Sequence, residues 1–95
     1  MAQYRTQVKI IADVLSTARD MNTEGTGVGI TMLLRKGNLS YSRMSKLISE
    51  LVGSGLLEEL AAEKVAKYRI SVKGLQFLSA YSNFEEFAQS FGLRL

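Results

Sequence analysis

The sequence predicts a mainly helical α+β domain. Three observations carry that class. Segments along the chain space their apolar residues by three and four, a helical period. One stretch, "KYRISV", alternates with period two instead, as a half-buried strand does. Two of the helical segments are headed by a serine able to cap them.

The first helix is expected over residues 4–20. Val8, Ile11, Val14 or Leu15, and Ala18 form its apolar stripe, and Ile10 widens it. Arg5, Lys9, Asp13 and Arg19 supply the wet side. "MNTEGTG", residues 21–27, reads as a loop, with Thr26 as the expected N-cap of a short apolar helix, "VGITMLLRK". That second helix is expected to stop at Gly37 and Asn38, just past Arg35 and Lys36.

The third segment, "LSYSRMSKLISELVGSGLL", is the most informative. Ser40 is placed to accept from an amide of the first turn. Leu39 before it and Met44 after it suit a hydrophobic staple. Leu47, Ile48, Leu51 and Val52 continue the buried side, and Gly53-Ser54-Gly55 ends the helix. A hairpin should follow, pairing "LLEEL" with a strand whose buried face is Tyr68, Ile70 and Val72 and whose other face holds Lys67 and Arg69. "AAEKVA" is the connection. Ser71 is the expected cap of a last helix bearing Leu75, Leu78, Tyr81, Phe84, Ala88 and Phe91, with Phe77 and Phe87 also apolar. "GLRL" closes the chain.

Composition narrows the function. At 95 residues a single domain is expected, and a net charge of +3 leans toward anionic partners. The chain has no Cys and no His, so disulfides, thiolate metal sites and the commonest general base are all missing. Its paired acids, Glu58-Glu59 and Glu85-Glu86, are neighbours that diverge on a helix or strand and make no dyad. We therefore expect no enzyme, no metal site and no cofactor. No apolar run approaches the roughly 20 residues that span a bilayer, and "MAQYRTQVKII" lacks a signal-peptide core. The expected location is the cytoplasm, in association with the nucleoid.

"GTGVGIT", residues 25–31, invites comparison with a phosphate-binding loop. That motif needs a first Gly where Glu24 stands and a Lys where Ile30 stands. No strand and parallel sheet are expected around it. No nucleotide is expected; the glycines serve a turn.

The order helix, helix, short turn, capped helix, hairpin, helix is that of a winged helix-turn-helix. The four-residue turn "GNLS" joins the second and third helices. The third then takes the position of a recognition helix, which enters the major groove of double-stranded DNA. Ser42, Arg43, Ser45, Lys46 and Ser49 form its polar side. Hydroxyls allow close approach, and the two cations suit phosphates or guanine edges. Tyr41 beside the cap is a candidate for stacking on the sugar-phosphate, with packing onto the second helix as its other reading. Lys67 and Arg69 are the candidate wing contacts to the backbone, beside Glu58, Glu59 and Glu63, which repel phosphate. Tyr81, Phe84, Phe87 and Phe91 are the candidate dimer interface: a small domain has few places to bury so many rings.

"NLSYSRMSKLISELVGSGLL" followed by "YRISVKGLQFL" resembles the archaeal winged-helix DNA-binding proteins of the 10a type, which include regulators and small chromatin proteins. The likeness covers residues 10–78. It implies double-stranded DNA binding through Ser42, Arg43, Ser45 and Lys46, and homodimerisation through the C-terminal helix. Ile30 stands where a basic residue is common in that family. The last helix is shorter than the long arm of the chromatin type, which implies a compact dimer. The expected division is a DNA-binding winged helix-turn-helix over residues 1–74 and a dimerisation helix over residues 75–95. The alternative is a winged helix that mediates protein-protein interaction without binding DNA.

Overall fold

The computed structural model describes residues 7–60 and 64–93. Residues 4–6 of the expected first helix, part of the hairpin connection with Glu63, and the final residues of "GLRL" lie outside them. The elements run α1 (Gln7–Met21), β1 (Val28–Gly29), α2 (Ile30–Gly37), α3 (Tyr41–Gly53), β2 (Leu57–Leu60), β3 (Lys67–Ile70) and α4 (Val72–Ser90). The order is the expected one with a strand added.

That strand, β1, pairs antiparallel with β3, so the sheet has three strands in the order β1-β3-β2. Val28 faces Tyr68 on one flank of β3, and Glu59 faces it on the other. The helix expected to begin at Val28 therefore begins two residues later. Thr26 does not cap it: the N-cap is Gly29, which has no side chain to offer. Asn22 organises the loop instead, accepting from the Gly27 amide at 2.9 Å.

One core joins the layers. Val14 and Leu15 of α1, Leu33 of α2, Met44, Leu47, Ile48 and Leu51 of α3, and Leu57 of β2 are buried together, with Leu78 of α4. Tyr68 and Ile70 pack against this cluster from β3. The expected stripe of α1 holds from Val14 to Ala18, whereas Val8 at its start is exposed.

Between α2 and α3 the left-handed stop is Asn38, at φ 57°, rather than Gly37. Asn adopts that conformation at little cost. Gly37 is the last helical residue and serves by its lack of volume: a Cβ there would come within 2.5 Å of the Met44 methyl. The absence of a side chain brings α3 close to α2.

The end of α3 and the start of α4 form one junction. Gly55 at φ 82° turns the chain back. Leu56 N then donates to Leu51 O at 2.9 Å and Gly55 N to Val52 O at 3.1 Å, the paired bonds of a Schellman stop. Ser71 closes the junction from the other side and is 8% exposed. Its hydroxyl accepts from Gly74 N at 2.9 Å and donates to Gly55 O at 2.6 Å, while its own amide donates to Leu56 O at 3.1 Å. Lys73 adds a bond to Ser54 O at 3.2 Å. Ser71 thus caps α4 as expected. Val72 is consequently the first helical residue, and it is exposed rather than part of the strand's buried face. Gly74 lies tight against β3, where a Cβ would come within 2.6 Å of Ile70 Cγ1.

Replacing Ser71 by Ala removes a cap worth about 1 kcal/mol and strips the part-buried Gly55 and Leu56 carbonyls of the Ser71 hydroxyl. The expected total loss is about 2–3 kcal/mol, read as a lowered urea midpoint. Ser71→Thr, which keeps the hydroxyl, should lose under about half of that. Gly55→Ala should cost about 1 kcal/mol, because its backbone stays left-handed.

Candidate nucleic-acid interface

α3 is built to present one side. Ser40 caps it, accepting from Arg43 N at 3.3 Å, and thereby fixes where the helix starts. From that start Met44, Leu47, Ile48 and Leu51 fall inward and are buried. Tyr41, Ser42, Arg43, Lys46 and Ser49 then fall outward and are exposed; Ser45 is half-buried at the margin. The five polar candidates on the recognition helix are brought together on one open side of a helix about 20 Å long. Neither Arg43 nor Lys46 is held in an ion pair with a described residue. Glu50, one turn beyond Lys46, is the exposed acid that bounds the patch.

The wing is different. Arg69 faces Glu58 across the β2–β3 ladder, and its Nη2 lies 2.9 Å from Glu58 Oε1. Both side chains are about half exposed, so the pair adds little stability, but it neutralises a cation expected to reach for phosphate. Lys67 is half-buried and stands opposite Gly29 and Leu60, at the end of the hairpin next to its connection. The two basic wing candidates share a face of β3, yet neither stands as an open charge in the manner of Arg43.

Tyr68, on the opposite face, links wing and helix. Burial pushes its phenol pKa up from the usual value, and the Glu59 carboxylate and Tyr41 push in the same direction. Tyr41 is 63% exposed and so lies outside the core. Sequence reading missed this neighbour because strand alternation marks Tyr68 only as inward-facing. It also missed exposed Arg35 and Lys36 as surface cations, since their position invites reading as a helix stop.

The aromatic candidates on α4 divide. Phe84, Phe87 and Phe91 are exposed at 57%, 62% and 67%. Phe87 and Phe91 meet edge to face, with centroids 5.0 Å apart. Tyr81 is half-buried against the core, and its hydroxyl is buried without a hydrogen-bond partner. Leu75, expected inside, is exposed, and Phe77 is half-buried.

Among the described residues no three acids come together in a way that holds a metal ion. No helix among them is long and apolar enough to cross a membrane.

Three solved structures share this architecture. Sso10a-2, a DNA-binding protein from Sulfolobus solfataricus, superposes with a TM-score of 0.75 at 21% identity, over 92% of this chain and 85% of its own. AF1382 from Archaeoglobus fulgidus gives 0.68 at 15% identity, over 86% and 89%. The type III plasmid segregation protein TubR gives 0.64 at 16% identity, over 87% and 92%. At these identities the likeness is one of fold. No curated protein sequence matches the chain. The sequence model of the winged helix-turn-helix family matches residues 4–89, and the chain belongs to that family.

Proposed function

We propose that the chain binds double-stranded DNA by inserting α3 into the major groove, as a homodimer, in the role of a transcriptional regulator or small chromatin protein. One observation carries this: the outward side of α3 combines three exposed hydroxyl residues or rings with two cations that no acid of the described chain neutralises. Arg43 and Lys46 supply phosphate or guanine contacts, and Ser42, Ser45 and Ser49 let the helix sit deep in the groove. Tyr41 contacts the sugar-phosphate backbone at the helix start. The wing contributes less, because Arg69 must leave Glu58 before it meets a phosphate. That Sso10a-2 is a DNA-binding protein and TubR acts in plasmid segregation supports the same reading. A nucleoid-associated location in the cytoplasm follows from it.

The dimer is proposed to form through α4. Phe77, Phe84 and Phe91 recur every seven residues, with Ala80 and Phe87 three residues after the first two, a coiled-coil spacing. Three of the rings are largely uncovered in the single chain, and such a patch on a small domain marks an interface. Tyr81 borders it from the core side. Two-fold pairing would set two α3 helices about 34 Å apart, one turn of DNA.

A second reading, assembly with protein alone, draws on the Glu58–Arg69 pair, which takes one of the candidate cations of the wing out of play. Mobility shifts on a 30-base-pair duplex across a salt series separate the two. Lys46→Ala should lower the slope of log affinity against log salt by about one, and Arg43→Ala with Lys46→Ala should abolish the shift at about 0.2 M salt. Arg69→Ala should change affinity by less than about threefold. Unaltered binding by the Arg43, Lys46 double variant would remove α3 from the interface. For the dimer, light scattering should give twice the chain mass for the parent and the single chain mass for Phe84→Glu with Phe87→Glu.

A further inference from the structure

Where α2 begins, the domain holds an open cleft of about 310 Å³. Met21, Val28, Ile30, Met32 and Val65 supply apolar side chains to its lining. Arg35 of α2 and Lys67 of β3 line it as well. Val28 is buried, but Val65 remains 59% exposed and Met21 37%, so apolar side chains face open space here. None of the described residues lining the cleft is acidic. Neither Arg35 nor Lys67 is held in an ion pair with a described residue. None of the exposed α3 residues lines it.

These features select among occupants. A phosphodiester has nothing to gain from five apolar side chains. An uncharged apolar molecule leaves both cations unmatched. The complement of a lining with five apolar side chains and two cations is a small amphiphilic anion, and the volume falls at the lower end for pockets that take small organic ligands. Arg35 offers a planar fork suited to a carboxylate, and Lys67 a point charge beside it.

We propose that this cleft is a binding site for a small apolar carboxylate, its tail on Val28, Ile30 and Met32 and its carboxylate between Arg35 and Lys67. Such a ligand bridges α2 and β3, the first helix of the helix-turn-helix and the turn end of the wing. The site stands whether or not α3 reads DNA.

Hexanoate titrated into the full ¹⁵N-labelled chain, followed through backbone amide shifts, tests it. Saturable shifts are expected at residues 28–32 and 65–67, with the amides of α3 unmoved. Arg35→Gln with Lys67→Gln should weaken binding by about tenfold or more, the scale of lost charge-assisted hydrogen bonds. Val65→Glu, which sets a like charge beside the carboxylate, should do the same. Hexanol and inorganic phosphate, tail or charge alone, should each bind at least about tenfold more weakly than hexanoate on the same scale. Shifts that fail to saturate, or that centre elsewhere, overturn the proposal. So does hexanol binding as well as hexanoate, which would leave the cations without a role. Phosphate binding as well as hexanoate overturns it too, and would make the cleft a backbone contact of the nucleic-acid face. Should a variant unfold, the three-ligand comparison on the parent chain decides alone.

Discussion

The hydroxyl of Ser71 is the point on which the architecture turns. A helix end leaves carbonyls without donors, and a helix start leaves amides without acceptors. This chain sets one against the other: the turn after α3 lies on the first turn of α4, and one buried serine serves both. The bonds from Ser71 to Gly55, Leu56 and Gly74 tie the turn that ends α3 to the first turn of α4. Because α3 carries the candidate reading surface and α4 the candidate pairing surface, their mutual angle sets how two copies could present two helices. The position of the surface therefore rests on a contact remote from it.

Charge is distributed with similar economy. A net charge of +3 is small beside what the proposed DNA partner would call for. Local arrangement compensates. Arg43 and Lys46 stand open on α3, whereas Arg19 is spent on Asp20 and Arg69 on Glu58. Exposed Arg35 and Lys36 on α2 add to the two open cations of α3, while the Glu58–Arg69 pair lowers the positive charge of the wing.

Much of this was legible in the residues because each signal was local and strong. Ser40 and the apolar series from Met44 to Leu51 specify α3 and its outward side together, since fixing a helix start fixes every face after it. Ser71 marked α4 for the same reason. The misses have physical causes. β1 is two residues long, too short for alternation to register, and it exists only because β3 offers an edge. Asn38 rather than Gly37 took the left-handed position because Gly37 was needed for its small volume, a requirement set by Met44 in another helix. Val72 looked like strand because its alternation continues past the point where Ser71 redirects the chain. The cleft brings residues 21, 35, 65 and 67 together across four segments, and no local pattern encodes that.

The contact of Gly37 with Met44 has an evolutionary corollary. A methionine that is 0% exposed lies where any Cβ at position 37 would strike it. A larger residue at 37 must push aside the flexible end of Met44 or meet a shorter residue there, and a shorter one at 44 leaves a void beside 37. Among descendants of this sequence the two positions should change as a couple, and that coupling would preserve the spacing of the helix pair through divergence that erases most other likeness.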